Sequence, residues 1–290
     1  MAQPEIIQPI QQPQPYFQDI QAEIERITSE APLLITERDK QFYSWLAEQR
    51  DSKVSGIVLS PHRSGISESC QYYRMKHSKY RGTILLIPAP VIYIRVPSAC
   101  TPTQLFSEFH ETLRRRKTGS LGDWRNRIRA TLKEFGVKLI IVDDAQYLKL
   151  KALRELVQIH ELLKIPLILI GTEHLYETLR SDWKQVHNSF LSLYEFPAMN
   201  LNQTGSVVDK WLNEFLKWPE ESDLLYEDVL KVLHEKTVGL TGPLYDALQK
   251  MATRALNKGL CKIDEQTVHE VLNGQFKALI REDSGNASNG

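Results

Sequence analysis

The segment Ser60-Pro61-His62-Arg63-Ser64-Gly65-Ile66-Ser67 has the layout of a phosphate cradle that lacks its cation. A loop that holds nucleotide phosphates follows the pattern G-x-x-x-x-G-K-[ST], between a strand and a helix. Backbone N–H groups wrap the phosphates, the lysine neutralises them and the hydroxyl takes a metal ligand position. Here Gly65 and Ser67 hold their places, Ser60 stands for the first glycine and Ile66 for the lysine. No glycine-lysine pair occurs anywhere upstream of residue 143, so no better-placed loop competes, short of a shift of a few residues. Amides of a glycine turn ahead of a helix still form an anion-binding concavity. Ser60, Arg63, Ser64, Gly65, Ile66 and Ser67 are therefore the candidate nucleotide-binding residues.

A second constellation closes the run Lys138-Leu139-Ile140-Ile141-Val142-Asp143-Asp144. In phosphoryl transfer the first carboxylate of such a pair helps Ser67 hold Mg2+, and the second orients water. Asp143 and Ser67 are thus the metal candidates, and Asp144 the catalytic one. The plainer alternative is a buried strand followed by a helix cap at Asp144. Ile165 to Thr172 is another apolar run, ending in Gly171-Thr172, where a polar group could sense the terminal phosphate.

These residues need a scaffold that brings strand ends together. Continuous branched runs suit strands buried on both faces of a parallel sheet, and ligand-binding groups sit at the carboxyl ends of such strands. Ser55–Leu59, Val91–Val96, Lys138–Asp143, Ile165–Gly171 and Leu193–Phe196 make five, alternating with helical stretches. One helix is expected over Glu68–Arg81, with Tyr72, Tyr73 and Met75 facing inward. The organisation reads as a Pro/Gln-rich tail at 1–15, a helical extension at 16–50 in which Phe17, Ile20, Ile24 and Ile27 recur at helical spacing, a sheet domain at 51–199, four helices at 200–281 and a polar tail at 282–290.

Composition narrows the classes further. No apolar run reaches the length of a membrane span, and no charged-then-apolar leader is expected. Cys70, Cys100 and Cys261 are scattered and odd in number, which argues for reduced cytosolic thiols rather than a metal site or a disulfide framework. With 36 basic and 36 acidic residues the chain is neutral, against indiscriminate nucleic-acid binding. One stretch departs from that neutrality: Arg114, Arg115, Arg116, Lys117, Arg125, Arg127 and Arg129 face the single acid Asp123, with Thr118, Gly119 and Ser120 in a turn. Such a stripe suits phosphate contact; a solvated helix face is the alternative. Trp124 packs either on Arg127 or in the core beneath it.

A sheet domain of this kind with a small helical lid is the AAA+ arrangement. Within it, Val91-Ile-Tyr-Ile-Arg95, Thr101-Pro-Thr-Gln-Leu-Phe106, Leu139-Ile-Ile-Val-Asp-Asp-Ala145, Leu169-Ile-Gly-Thr172 and Leu256-Asn-Lys-Gly-Leu-Cys-Lys-Ile-Asp264 resemble the TnsC/TniB transposition regulators, above all the short TnsC of type V-K CRISPR-associated transposons. The resemblance runs from about residue 20 to 276. It implies a P-loop-type α/β fold with a helical lid, a bacterial cytoplasmic setting, ATP with Mg2+, self-assembly as rings or filaments on duplex DNA, and a link between a TniQ-like selector or guide-RNA effector and a TnsB-like transposase. It places the lysine on Ile66, the catalytic glutamate on Asp144, sensor 1 on Thr172, the arginine offered by a neighbouring subunit near Ser189 and the lid arginine on Pro243. It places DNA contacts on Thr103 and near Ser120, beside Arg114 to Lys117. Since phosphoryl transfer is mostly positioning and charge stabilisation, four altered positions out of this set imply impaired or lost hydrolysis, with Asp144 and Thr172 vestigial. For the cofactor, weak binding of ATP and Mg2+ and no binding both stay open. Three functions follow: a DNA-binding, oligomerising adaptor with a failing ATPase; a working ATPase of the same family; or a partner or cap of an intact TnsC assembly that does not touch DNA.

Overall fold

The structure, a computed structural model, describes residues 19–30, 32–82 and 84–283. The tail expected at 1–15, most of that at 282–290 and Phe17 lie outside the described residues. Helices α1 (Ile20–Ser29) and α2 (Glu37–Ser52) precede β1 (Gly56–Leu59). After α3 (Ile66–His77) come a short hairpin of β2 (Tyr80–Arg81) and β3 (Ile84–Leu85), then β4 (Val91–Arg95), α4 (Pro102–Thr112) and α5 (Leu121–Glu134). The chain continues through β5 (Leu139–Asp143), α6 (Leu150–Leu163), β6 (Leu167–Gly171), α7 (Glu173–Ser181), α8 (Lys184–His187) and β7 (Ser192–Glu195). The helices α9 (Leu201–Lys210), α10 (Glu227–Thr237), α11 (Thr241–Asn257) and α12 (Glu265–Asp283) complete it, with a π-helical turn at Trp211–Leu216 after α9.

The five predicted strands form one sheet, entirely parallel, in the order β4-β5-β6-β1-β7. Their period-two alternation splits the apolar runs between two faces. Ile57, Ile92, Ile94, Ile140, Val142 and Leu169 meet the core with Phe106, Phe109, Ile128 and Leu156. Val58, Val91, Leu139, Ile141, Ile168 and Ile170 meet Phe42 and Leu46 of α2 and Ile66, Cys70 and Tyr73 of α3. Because β1, β5 and β6 are buried along their whole length, their polar groups concentrate where the strands end.

The helix after the loop is shorter than its sequence suggests. It stops at His77, because the Ser78 hydroxyl accepts from the Val91 N–H (3.0 Å) and donates to the Val91 carbonyl (2.7 Å), which turns the chain into the β2–β3 hairpin. The inward row is Ile66, Ser69, Cys70 and Tyr73, spaced three and four apart. Tyr72 lies half-buried beside that row, and Met75, expected inward, is 54% exposed.

The chain divides into two compact units, one made of Leu33–Val207 with Val238–Pro243, the other of Val208–Thr237 with the stretches up to Pro32 and from Leu244. The two N-terminal helices therefore do not form one block. In the sheet unit, α2 sends Phe42 and Leu46 into the core. In the helical unit, Arg26 of α1 donates to the Phe215 carbonyl (3.2 Å), Gln249 donates to the Ile27 carbonyl (2.9 Å) and Tyr245 to that of Pro32 (2.6 Å). Among the described residues no helix is long and apolar enough to cross a membrane.

Candidate functional site

The loop between β1 and α3 is built by its serines. The Ser60 N–H donates to the Gly171 carbonyl at the end of β6 (3.0 Å), and the Ser60 and Ser64 hydroxyls share a hydrogen bond of 2.5 Å. Ser64 is fully buried. Gly65 then takes a φ of +90° at the start of α3, where a Cβ would come within 2.8 Å of the Thr241 hydroxyl; both the conformation and the close approach call for glycine. Ile66, in the lysine's place, is 8% exposed and packs into the core with Phe42, Val58 and Cys70. The first residue of α3 thus gives the core a side chain where a phosphate-binding loop gives its ligand a charge.

The loop carbonyls are also taken. Arg38 of α2, 3% exposed, donates from Nη2 to the Ser64 carbonyl (2.8 Å) and the Thr241 hydroxyl (2.8 Å), and from Nη1 to the Pro197 carbonyl (2.9 Å). Its guanidinium lies 4.4 Å from the centre of the Phe196 ring, and burial lowers its pKa. The Thr241 hydroxyl donates to the Ser64 carbonyl (2.8 Å), and the Gly242 N–H to that of Arg63 (2.9 Å). Arg38 and Thr241 were not foreseen from sequence. The signal was present: Arg38, Phe42 and Leu46 recur at i, i+4 and i+8 on one helix. Arg38→Met strips a donor from the buried Ser64 carbonyl, from the half-buried Thr241 hydroxyl and from the carbonyl of the exposed Pro197. Ser64 keeps its bond from Thr241, and with only one buried group affected the loss is about 2 kcal/mol, within the range of about 1–3 kcal/mol for such a group. At about 2–4 °C per kcal/mol, the melting midpoint measured by circular dichroism is expected to drop by roughly 5 °C. A midpoint within about 2 °C of the parent contradicts this role.

At the other strand ends, parallel register sets Arg95 of β4 beside Asp143 of β5 and Tyr93 beside Ile141. Asp143 is 3% exposed. Its Oδ2 accepts from the Ser67 hydroxyl (2.6 Å) and the Tyr93 hydroxyl (2.5 Å), and its Oδ1 from the Asp144 N–H (2.9 Å). Burial, with the Asp143 charge, raises the Tyr93 pKa well above that of a free phenol. Asp144 sits in the left-handed region at φ +56°. Arg95 Nε donates to its Oδ2 (2.7 Å) and Gln146 to its Oδ1 (3.3 Å); the hydrogen bond to Asp144 raises the Arg95 pKa. Thr172 caps α7, half-buried. Ser189 is half-buried in the stretch after α8, and Pro243 lies in the first turn of α11, where a missing N–H costs nothing.

The residues brought together are thus Ser60, Ser64 and Gly65 in the loop, Ser67 on Asp143, and Asp144 under Arg95. Two of the loop amides are already engaged, the Ser64 N–H by the Pro61 carbonyl (3.3 Å) and the Ile66 N–H by the Ser64 hydroxyl (3.3 Å). A phosphate would be left the later N–H groups of the first turn of α3, which have no acceptor within the helix. The carboxylates as arranged do not fit Mg2+. That ion needs carboxylate lone pairs facing it; both of those on Asp143 Oδ2 face hydroxyl hydrogens, Oδ1 takes the Asp144 N–H, and Asp144 faces a guanidinium.

The basic stretch forms an ordered turn. Arg127 donates to the Arg116 (2.9 Å) and Thr118 (3.0 Å) carbonyls, and Trp124 to the Thr118 carbonyl (3.1 Å). Trp124 packs on the core. The seven cations are not one open stripe. Arg115 pairs with Glu134 (2.7 Å), Lys117 with Glu111, and Arg125 with Glu155 (2.5 Å). Arg129 reaches Gln158 (3.3 Å). Arg114, at φ +53°, and Arg116 are exposed. Thr103 is exposed on α4. Ser120 caps α5, its hydroxyl donating to Asp123 (2.8 Å).

Residues 49–179 match the family model described as AAA domain. A search of curated proteins gives no match. Among solved structures, the chain is similar to the Aeropyrum pernix ORC2 protein (ADPNP-ADP complexes), with a TM-score of 0.62 and 12% identity over 86% of this chain and 71% of that one. It is similar to the Aeropyrum pernix ORC1 protein in complex with DNA, at a TM-score of 0.62 and 14% identity over 86% and 68%. The Thermotoga maritima RuvB Holliday junction branch migration motor follows at 0.55 and 13% over 83% and 69%. The five-stranded parallel sheet flanked by helices, with its C-terminal helical region, is the AAA+ fold.

Proposed function

We propose that this AAA+ protein is a TnsC/TniB-like adaptor that assembles on duplex DNA and connects a TniQ-like selector or a guide-RNA effector to a TnsB-like transposase, with ATP hydrolysis lost or severely impaired. The observation that carries the reading is the burial of Ile66 in the core, at the position from which a lysine would reach the phosphates. Asp144 under Arg95 supports it, as do the serine and proline at positions 189 and 243. What survives is a loop that can hold an anion and an exposed turn that presents Arg114 and Arg116.

Assembly should then depend little on nucleotide. With no arginine at positions 189 and 243 to reach a terminal phosphate, ATP has little differential contact with free and assembled subunits, and a ligand of equal affinity for both states shifts nothing. Sedimentation without nucleotide, with ADP and with a non-hydrolysable ATP analogue is expected to give superimposable profiles. Rings or filaments formed only with the analogue would favour a working ATPase. The pairing of Arg115 and Lys117 with Glu134 and Glu111 favours a second reading, a cap of an intact assembly that makes no DNA contact.

A further inference from the structure

Tyr93 takes no part in the chemistry that an AAA+ site implies, yet its hydroxyl ends on the carboxylate that would hold the metal. We propose that the Tyr93 and Ser67 hydroxyls occupy the divalent cation's place on Asp143, so that the loop takes a nucleoside di- or triphosphate without a metal ion. The proposal rests on reading Ser60–Ser67 as the phosphate loop.

Both oxygens of Asp143 are already engaged: Oδ2 by two hydroxyl hydrogens at 2.6 and 2.5 Å, Oδ1 by the Asp144 N–H at 2.9 Å. A metal on Oδ2 has to displace one of the hydroxyls. Ser67 can give way by turning about one bond and becoming a ligand itself. Tyr93 cannot, because its hydroxyl stands at the end of a rigid ring packed against the cluster of Phe42, Val58, Cys70 and Ile141, so moving the oxygen means moving the ring. Arg95 adds a full positive charge at the neighbouring carboxylate, 2.7 Å from Asp144 Oδ2. Mg2+ would therefore meet one carboxylate that already accepts three hydrogen bonds and a second paired with a guanidinium, and it dehydrates reluctantly even for open sites.

The decisive probe is Mn2+, followed by electron paramagnetic resonance on the full chain without nucleotide. The parent is expected to show no saturable site that Asp143→Asn removes. Tyr93→Phe, which deletes one oxygen and keeps the ring, is expected to gain such a site, and Tyr93→Phe/Asp143→Asn to lose it again. A parent site sensitive to Asp143→Asn overturns the proposal, and that comparison decides even where Tyr93→Phe fails to fold. A folded Tyr93→Phe that gains no site overturns it as well. In the nucleotide arm, a fluorescent ATP analogue should bind the parent equally well in Mg2+ and in EDTA. A gain of about tenfold or more in Mg2+ overturns the proposal. Absence of analogue binding under both conditions removes the phosphate-loop reading and with it the metal-free ligand, while the Mn2+ comparison still judges the hydroxyl cap on Asp143.

Discussion

Phosphate release by the full chain, with ATP and Mg2+ and with or without duplex DNA, is expected to match buffer. Each departure acts on a separate part of the reaction. A missing arginine finger costs about 10³–10⁵ in rate, and residue 189 is serine. A group misplaced by roughly 1 Å can cost about 10²-fold, and Asp144 is both one methylene shorter than glutamate and held by Arg95. Without a lysine ammonium at position 66, phosphate binding is weaker by about 1.5–3 kcal/mol, the worth of a charge-assisted hydrogen bond, or on the order of 10- to 100-fold. Ile66→Lys alone should recover part of that affinity. It should also lower stability, since the side chain leaves a buried place beside Phe42 and Val58, and it should leave turnover at background. Turnover at an ordinary AAA+ rate, abolished by Asp143→Ala, would contradict the assignment.

Opposite shifts in DNA affinity are expected from two charge changes around the basic turn. Arg114→Ala/Arg116→Ala removes exposed cations and should weaken binding to every duplex sequence alike, because phosphate contacts carry no base information. The slope of log K against log salt should fall by about one for each phosphate that is no longer neutralised. Glu111→Gln/Glu134→Gln releases Lys117 and Arg115 from their carboxylates and should strengthen binding and steepen the slope. Both carboxylates are exposed and their cations half-buried at the surface, so folding should change by about 1 kcal/mol or less per pair. Gel shift at several salt concentrations checks both variants. If neither moves the curve, the turn is a solvated face and the cap reading takes precedence.

The sheet was legible because buried parallel strands are continuous branched runs, and Asp143 and Thr172 were legible because they follow two of those runs directly. The groups that decide the chemistry were not. Tyr93 and Arg95 sit two apart on β4, and only the register with β5 shows that they reach Asp143 and Asp144. The row of Arg38, Phe42 and Leu46 marks the inward face of α2, but Arg38 meets Thr241 across some two hundred residues of chain, and no local pattern names that partner. The substitution at Ile66 was visible, but its burial depends on α2 supplying Phe42 and Leu46 to the same face. Counting charges along 114–129 left out Glu111, Glu134 and Glu155, which lie outside that stretch and neutralise three of its cations. Met75 failed as an inward residue because α3 aligns on the row of Ile66, Cys70 and Tyr73 instead.

Duplex binding should need no help from nucleotide. The most direct measurement is fluorescence anisotropy of a labelled duplex titrated with the full chain across a salt series, with no nucleotide, with ADP and with a non-hydrolysable ATP analogue. Coincident curves are expected in all three, indifferent to sequence and falling steeply with salt as counterions are released at each neutralised phosphate. Binding that appears only with the ATP analogue, or no binding at low salt, would contradict it.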